Sequence, residues 1–339
     1  MEQVLITGAT GFIGCNMVAQ LLAENLEVVA WVRKKPSNPL FDSQGVEFRI
    51  GSLNEAAAHI RKTEGITAVI HLAAVVSPYS RAKTFETNVD GTRSLAKECS
   101  RRVNPPKFIY VSSLSASGPS VNGQPRLESD ECWPRSLYGD SKYSAEQGLR
   151  SLANDLPISI VRPPAVFGAW DRNLLQMFQM VRRKWNLIGI SKRLRYSFVH
   201  AEDLTRGILS VVQRGQRLTN EKTDSSEDIG KGIYFLTDPR PVTFEELGNM
   251  IAESLGVSRP WSIVMPGALC WSLAGLSDFG GRYFNIPTFL NLDKMREASA
   301  GSWICDSSKA AREIGFEVQA NLQQRIEQTS SWYREHGWL

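Results

Sequence analysis

Tyr138 and Lys142 stand four residues apart in the segment YGDSK, a phenol and an amine that share one face of any helix containing them. A cation beside a phenol favours phenolate and draws its pKa of about 10 towards neutrality, making the hydroxyl a usable proton donor or acceptor. The same spacing fits a solvated helix face on which Lys142 pairs with Glu146, so the motif alone leaves both readings open. Ser112 and Ser113 close the apolar run Phe108 to Val111, and strand alternation aims their hydroxyls at opposite faces. Either a serine there orients a substrate carbonyl and steadies the charge developing on its oxygen, or it satisfies a loop.

A second constellation lies at the N-terminus. Gly8, Gly11 and Gly14 in TGATGFIG follow a β-branched run and open a helical one, the context in which backbone N–H groups meet a pyrophosphate at a helix N-terminus. The alternative is a tight strand-to-helix turn without a ligand. The next strand-like run ends Trp31, Val32, Arg33, Lys34, Lys35, where an NAD site normally carries an acid on the ribose hydroxyls. No acid is there. The Arg33 fork suits the 2′-phosphate of NADP and Lys34 adds a point charge, so NADPH is expected in preference to NAD; a solvated basic loop is the other reading.

The elements that must position these groups follow a βαβ rhythm over the first 165 residues. Val4 to Thr7, Val28 to Val32, Ala68 to Leu72, Phe108 to Ser112 and Ile158 to Arg162 read as strands, and the first helix runs to about Glu24. Short apolar strands separated by helices predict an α/β fold: a Rossmann-type doubly wound parallel sheet with its ligand crevice outside the carboxyl ends of the strands. A chain of 339 residues exceeds what one core usually supports, which predicts a smaller, mostly helical C-terminal substrate lobe. After Pro163 and Pro164 the pattern gives a helix over 173–184, a short segment over 193–199, a helix over 203–213 and a return to the sheet at 233–236. Thr243 and Glu246 have capping-box spacing for a helix towards Leu255, and the polar run 218–231 reads as an exposed loop. The expected division is a dinucleotide domain over 1–165, with 197–237 returning to it, and a lobe made of 166–196 and 238–339.

Composition narrows the function. A 42% hydrophobic and 22% charged chain is ordinary globular material, and 39 Lys plus Arg against 35 acids leave a net charge of +4, too little for a nucleic-acid footprint without a dedicated patch. Five scattered cysteines without a C-x-x-C pair read as reduced cytoplasmic thiols rather than a metal site. The N-terminus has no secretory pattern, and the apolar stretch Trp261 to Leu276 is broken by Pro266 and falls short of the roughly 20 residues of a membrane span. Burial in the lobe and an amphipathic surface helix both fit that stretch. Ser113 is not on a G-x-S-x-G elbow, which argues against a serine hydrolase; His71 and His200 read as structural.

TGATGFIG, HLAA at 71–74, TNVDGT at 87–92, YVSS at 110–113 and YGDSK at 138–142, in that order, resemble the extended short-chain dehydrogenase/reductases, also called NAD-dependent epimerase/dehydratases. The resemblance implies a Ser-Tyr-Lys site: Tyr138 as proton donor or acceptor, Lys142 binding the nicotinamide ribose and lowering the phenol pKa, and Ser113 orienting the carbonyl. Ser113 is preferred to Ser112 by register, five residues before Gly118 and 25 before Tyr138. It further implies dinucleotide contacts from Gly8, Thr10, Gly11, Phe12, Ile13, Gly14, Arg33, Lys34, Leu53, Leu72, Ala73, Ala74, Pro163 and Val166, besides Tyr138 and Lys142. Asn88 matches a structural or water-holding asparagine of the family.

Within that resemblance, Ser113, Leu114 and Ser115 stand where dehydratases carry Thr-Asp-Glu, and Ala165 in RPPAVFG replaces the asparagine common in sugar-nucleotide epimerases. VRKKPSN at 32–38 and RPPAVFG are similar to the dihydroflavonol 4-reductase and 3β-hydroxysteroid dehydrogenase branches. The expectation is therefore a cytoplasmic NADP-dependent oxidoreductase interconverting a ketone and a secondary alcohol on a small hydrophobic substrate, with a homodimer implied by the family and no nucleic-acid partner. Its competitors are an NAD-dependent sugar-nucleotide epimerase and a noncatalytic dinucleotide sensor.

Overall fold

Mostly apolar runs form the strands of the main sheet, apart from its edge strand at Val46–Ile50. A computed structural model describes residues 3–43, 45–60, 64–76, 80–220, 230–284 and 291–339, the side chains of 279–284 excepted. The first half contains β1 (Gln3–Thr7), α1 (Phe12–Ala23), β2 (Glu27–Val32), β3 (Val46–Ile50), α2 (Leu53–Ile60), β4 (Ile66–His71), α3 (Arg81–Phe85), α4 (Thr92–Ser100), β5 (Lys107–Val111), α5 (Leu114–Ser117), α6 (Leu137–Arg150) and β6 (Ile158–Val161). The second half adds β7 (Ala165–Phe167), α7 (Arg172–Arg182), β8 (Trp185–Ile188), β9 (Arg195–Tyr196), β10 (Phe198–His200), α8 (Ala201–Arg214), β11 (Ile233–Tyr234), β12 (Val242–Thr243) and α9 (Phe244–Leu255). It closes with β13 (Trp261–Val264), α10 (Gly267–Phe284), α11 (Leu292–Ser299), α12 (Ser308–Ile314) and α13 (Leu322–Glu335).

The sheet has seven strands in the order β11-β6-β5-β4-β1-β2-β3, with every neighbouring pair parallel. The chain works outwards from β1 in both directions, so the crevice at the carboxyl ends of β1 and β4 is the topological switch point where α/β sheets hold ligands. Side-chain alternation builds one core on each face. Val4, Ile6, Val28, Ala30 and Ile70 pack with Met17 and Leu21 of α1 and Leu204 and Ile208 of α8. Leu5, Val29, Val69 and Phe108 pack with Ala56 and Ile60 of α2, Leu95 of α4 and Ala145 and Leu149 of α6.

A third core lies beyond the sheet, where Phe178 of α7, Leu247 and Ile251 of α9 and Ile326 and Tyr333 of α13 pack together. Thr243 and Glu246 form the reciprocal capping box expected of their spacing, and Gly256 closes α9 in the left-handed conformation at φ 68°.

Two expectations change. The strand β3 carries no clear signal in the sequence because Glu47 and Arg49 interrupt a half-exposed edge segment. The run 218–231 is not uniformly exposed: Leu218 is buried and its N–H donates to Ile158 O at 2.7 Å, while 221–229 lie outside the described residues.

Candidate active site

The turn after β1 is compressed by the chain that follows β4. Gly8 has φ +75°, and a Cβ there would meet Ala73 N at 2.7 Å; a Cβ at Gly14 would meet Gly8 O at 2.2 Å. Only glycine fits either position, the first for its backbone conformation and the second because α1 lies against the turn. Gly11 caps α1 without a side-chain hydrogen bond, and the first turn holds no acid. The free N–H groups and the positive end of the helix are left for an anion, and the cradle fits a dinucleotide pyrophosphate.

Two clefts flank this turn. One, of about 580 Å³, is lined by Gly8, Thr10, Gly11, Arg33, Leu53, Leu72, Ala73 and Ala74, and also by Trp31, Ser52 and Asn54. The other, of about 820 Å³, is lined by Thr10, Gly11, Phe12, Arg33 and Lys34, together with Lys35, Ser37, Arg172 and Trp338. Arg33 reaches both, and the acid that would hold ribose hydroxyls is missing from the end of β2. Spacing flagged Arg33 and Lys34; Arg172 and Trp338 arrive from distant segments and leave no local signal. Ile13, Gly14, Pro163 and Val166 line neither cleft, nor do Ser113, Tyr138 and Lys142: Ile13 and Val166 pack against the sheet core, and Pro163 O accepts the Leu114 N–H at 2.8 Å.

The chain after β4 is held by Asn88, which accepts from Val75 N at 2.7 Å and donates to Val75 O at 2.9 Å and Ser141 Oγ at 3.0 Å. Asn88 thereby ties the cleft wall to α6. His71 is sealed between the hydroxyls of Thr7 at 2.6 Å and Thr92 at 2.8 Å; burial takes its pKa down to about 3. His200 caps α8. Neither histidine is placed for proton transfer.

One strand further along the carboxyl edge, α6 begins at Ser136, whose Oγ accepts from Gly139 N at 2.9 Å. The Lys142 ammonium is buried, donates to Val111 O at 2.8 Å and stands 4.5 Å from the Tyr110 ring centroid. Burial brings its pKa down to about 7, opposed by the charge of Glu146. The solvated Lys142–Glu146 pair does not form: Glu146 is buried and binds the Arg162 guanidinium through two hydrogen bonds of 3.0 and 2.5 Å.

The Tyr138 phenol also departs from expectation. Its pKa lies above the ordinary phenol value, chiefly through burial and secondly through the Glu297 carboxylate, rather than being lowered by Lys142. Lys142 is itself easily discharged by burial and spends its bond on a backbone carbonyl, so the charge that registers at the phenol is the acid.

Ser113 is half-buried and caps α5, its Oγ accepting from Ser115 N at 3.1 Å; Ser112 is buried with its hydroxyl unpartnered among the described residues. The helices α5 and α6 touch closely enough that a Cβ on Gly139 would lie 2.3 Å from Ser115 O.

Two further acids come from α11. Ser136 Oγ donates to Glu297 Oε1 at 2.5 Å, and Asp293 Oδ1 accepts from Leu137 N at 2.7 Å. Burial raises the Glu297 pKa while hydrogen bonds from Ser136 and Ser115 lower it. Asp293 and Glu297, one helical turn apart, clamp the N-terminus of α6 that carries Tyr138. Nothing local in the sequence marks them, because their partners lie more than 150 residues away.

Residues 4–223 match the NAD dependent epimerase/dehydratase family. The chain is 29% identical to the ceramide reductase of Caulobacter vibrioides, over 99% of this chain and 96% of that protein. It is 28% identical to sterol demethylase protein B of Methylococcus capsulatus, over 99% of both. Its distant homologues include a dihydroflavonol reductase and a 3β-hydroxysteroid dehydrogenase. Among solved structures, the UDP-glucose 4-epimerase of Thermotoga maritima superposes with a TM-score of 0.77 at 20% identity, covering 98% of this chain and 99% of that one, a likeness of fold.

Proposed function

The chain belongs to the NAD dependent epimerase/dehydratase family of extended short-chain dehydrogenase/reductases, an NAD(P)-dependent enzyme, and on that premise we propose that it is an NADPH-preferring ketone reductase acting in the cytoplasm on a hydrophobic, lipid-like substrate. The observation that carries the reading is the end of β2, where Arg33 faces both clefts and no carboxylate is present to hold a 2′-hydroxyl. The turn at Gly8, Thr10 and Gly11 would hold the pyrophosphate, Arg33 and Lys34 the 2′-phosphate, and Lys142 the nicotinamide ribose. When bound, the reduced nicotinamide supplies the hydride to the carbonyl carbon.

The chain's own groups manage the oxygen. Ser113 donates a hydrogen bond to the substrate carbonyl, and Tyr138 delivers the proton as the alcohol forms. A phenol held above its ordinary pKa by burial and by Glu297 stays protonated at neutral pH, the form a reduction needs. Reversal returns the proton to the same oxygen. Residues 166–196 and 238–339 would cover the substrate, and the lipid-linked names of the two relatives support an apolar skeleton for it.

The test is consumption of NADPH against NADH with a panel of cyclic, aryl and long-chain ketones. Faster turnover with NADPH on the apolar ketones supports the proposal. Inversion of a nucleotide-sugar with tightly retained NAD and no net cofactor turnover would replace it with an epimerase, and dinucleotide binding without turnover would leave a sensor.

A further inference from the structure

Of the fourteen large hydrophobic side chains exposed among the described residues, nine fall in two segments, 185–187 and 261–276. The strands β8 and β13 pair in parallel with Trp185 opposite Trp261 and Leu187 opposite Ile263. All four of these side chains are exposed, Trp261 at 71%, whereas Asn186 and Ile188 between them are buried. The ribbon therefore turns an apolar face outwards, the reverse of an ordinary one-sided sheet. The two indoles sit 6.2 Å apart, edge to face.

The helix α10 follows β13 in the chain after Met265 and Pro266. Cys270 and Ala274 are its buried face, packed with Met295 of α11, while Leu269, Leu273 and Leu276 recur at i, i+4 and i+7 about a third of a turn away and are exposed. The helix is thus apolar on both faces. Among the described residues no helix is long and apolar enough to cross a membrane, so this one is not a span.

Positive charge predominates around the surface. Residues 182–195 and 256–277 contain seven Lys and Arg and no Asp or Glu, and of the seven Lys192 and Arg195 are paired with Glu245 and Glu246 of α9. Arg182, Arg183, Lys184, Arg193 and Arg259 are exposed and form no ion pair with a carboxylate of the described residues. Tryptophans beside aliphatic side chains, ringed by unneutralised cations, complement a bilayer surface carrying anionic headgroups. A second copy of the chain would set these cations against themselves.

We propose that the β8–β13 ribbon and the outer face of α10 form a docking surface for an anionic phospholipid membrane. Leu269, Leu273 and Leu276 enter the headgroup–acyl boundary with Trp185 and Trp261 at its level, and the arginines contact phosphate. The surface adjoins the reaction site: α10 packs on α11, whose Asp293 and Glu297 hold the N-terminus of the Tyr138 helix. Docking is independent of the reaction proposed above, because it is measured without substrate.

The experiment is co-sedimentation of the full-length protein with extruded vesicles of phosphatidylcholine alone or with about one-third phosphatidylglycerol. Binding to the anionic vesicles at least tenfold tighter than to the neutral ones, and weakened by added salt, is the expected result. Leu269→Glu with Leu276→Glu should lower that partition at least tenfold, and Arg182→Glu with Arg183→Glu should remove the preference for anionic lipid. An unchanged melting temperature in both variants shows that the fold survives. No binding by the wild-type protein, or full binding by the leucine variant, overturns the proposal. So does a wild-type dimer in sedimentation equilibrium that the leucine variant dissociates, since a second copy then covers the face.

Discussion

Helix α6, which carries Tyr138 and Lys142, is held by different means on its sheet side and at its N-terminus. Towards the sheet, Lys142 reaches Val111 O and the turn around Gly8 is fixed by backbone contacts too close to admit a side chain. At its N-terminus, Ser136, Leu137 and the Tyr138 phenol meet acids of α11, a helix from the far end of the chain. The sheet side is set by local geometry that restricts residue type, and the lobe side by tertiary placement that restricts only charge and reach. Substitutions on the two sides should therefore fail differently, the first in cofactor binding and turnover, the second in the pH dependence and orientation of Tyr138.

The largest effect is expected at the point where the two regions meet. Tyr138→Phe should lower kcat by about 10²–10⁴-fold with NADPH affinity unchanged, measured by steady-state kinetics and dinucleotide titration. An equal loss of affinity would move Tyr138 from proton transfer to cofactor binding. Next, Arg33→Ala should raise the Kd for NADPH about 10–100-fold and leave that for NADH nearly unaltered, because only the 2′-phosphate loses a charge-assisted bond. Parallel losses for both dinucleotides would contradict the assignment of Arg33.

Lys142→Met should abolish turnover yet stabilise the dinucleotide-free protein by about 1–2 kcal/mol at neutral pH, because it removes a buried cation. The sign follows from its pKa of about 7 in the folded chain against about 10.4 unfolded: above pH 7 the unfolded state binds the extra proton, so wild-type stability rises with pH across that window. The gap between variant and wild type in thermal melts should narrow from pH 7 towards pH 10. Smallest is Glu297→Gln, which keeps the hydrogen bond with Ser136 but removes the charge near the phenol. The alkaline limb of the kcat profile should move to lower pH, by less than burial contributes, since burial is the larger cause. An unmoved limb would separate Glu297 from the phenol.

How much of this was legible follows the same division. Strand runs such as VLIT and VVAWV are almost wholly apolar because both faces of the sheet are covered, and the glycine spacing is legible because no other residue tolerates those contacts. Register favours Ser113 over Ser112, and kinetics of the two alanine variants would separate them. The lowering of the Tyr138 pKa was not borne out, because i, i+4 spacing says nothing of the Val111 carbonyl that holds Lys142 or of the acid arriving from α11. Asp293, Glu297, Arg172 and Trp338 were invisible for the same reason. The stretch 261–276 was recognisable as apolar, but only its pairing with β8 and the two-sidedness of α10 show which side chains face out.

In the proposed reaction Tyr138 hands a proton to a carbonyl oxygen as NADPH is consumed. Its most direct test is a single turnover of NADPH-loaded protein mixed with a long-chain or cyclic ketone, following loss of reduced-nicotinamide absorbance and the alcohol formed. The expected result is one alcohol per NADPH in the wild-type protein and, in Tyr138→Phe, undiminished NADPH binding with almost no alcohol. Wild-type rates in the variant, or no NADPH loss with any ketone, would contradict it.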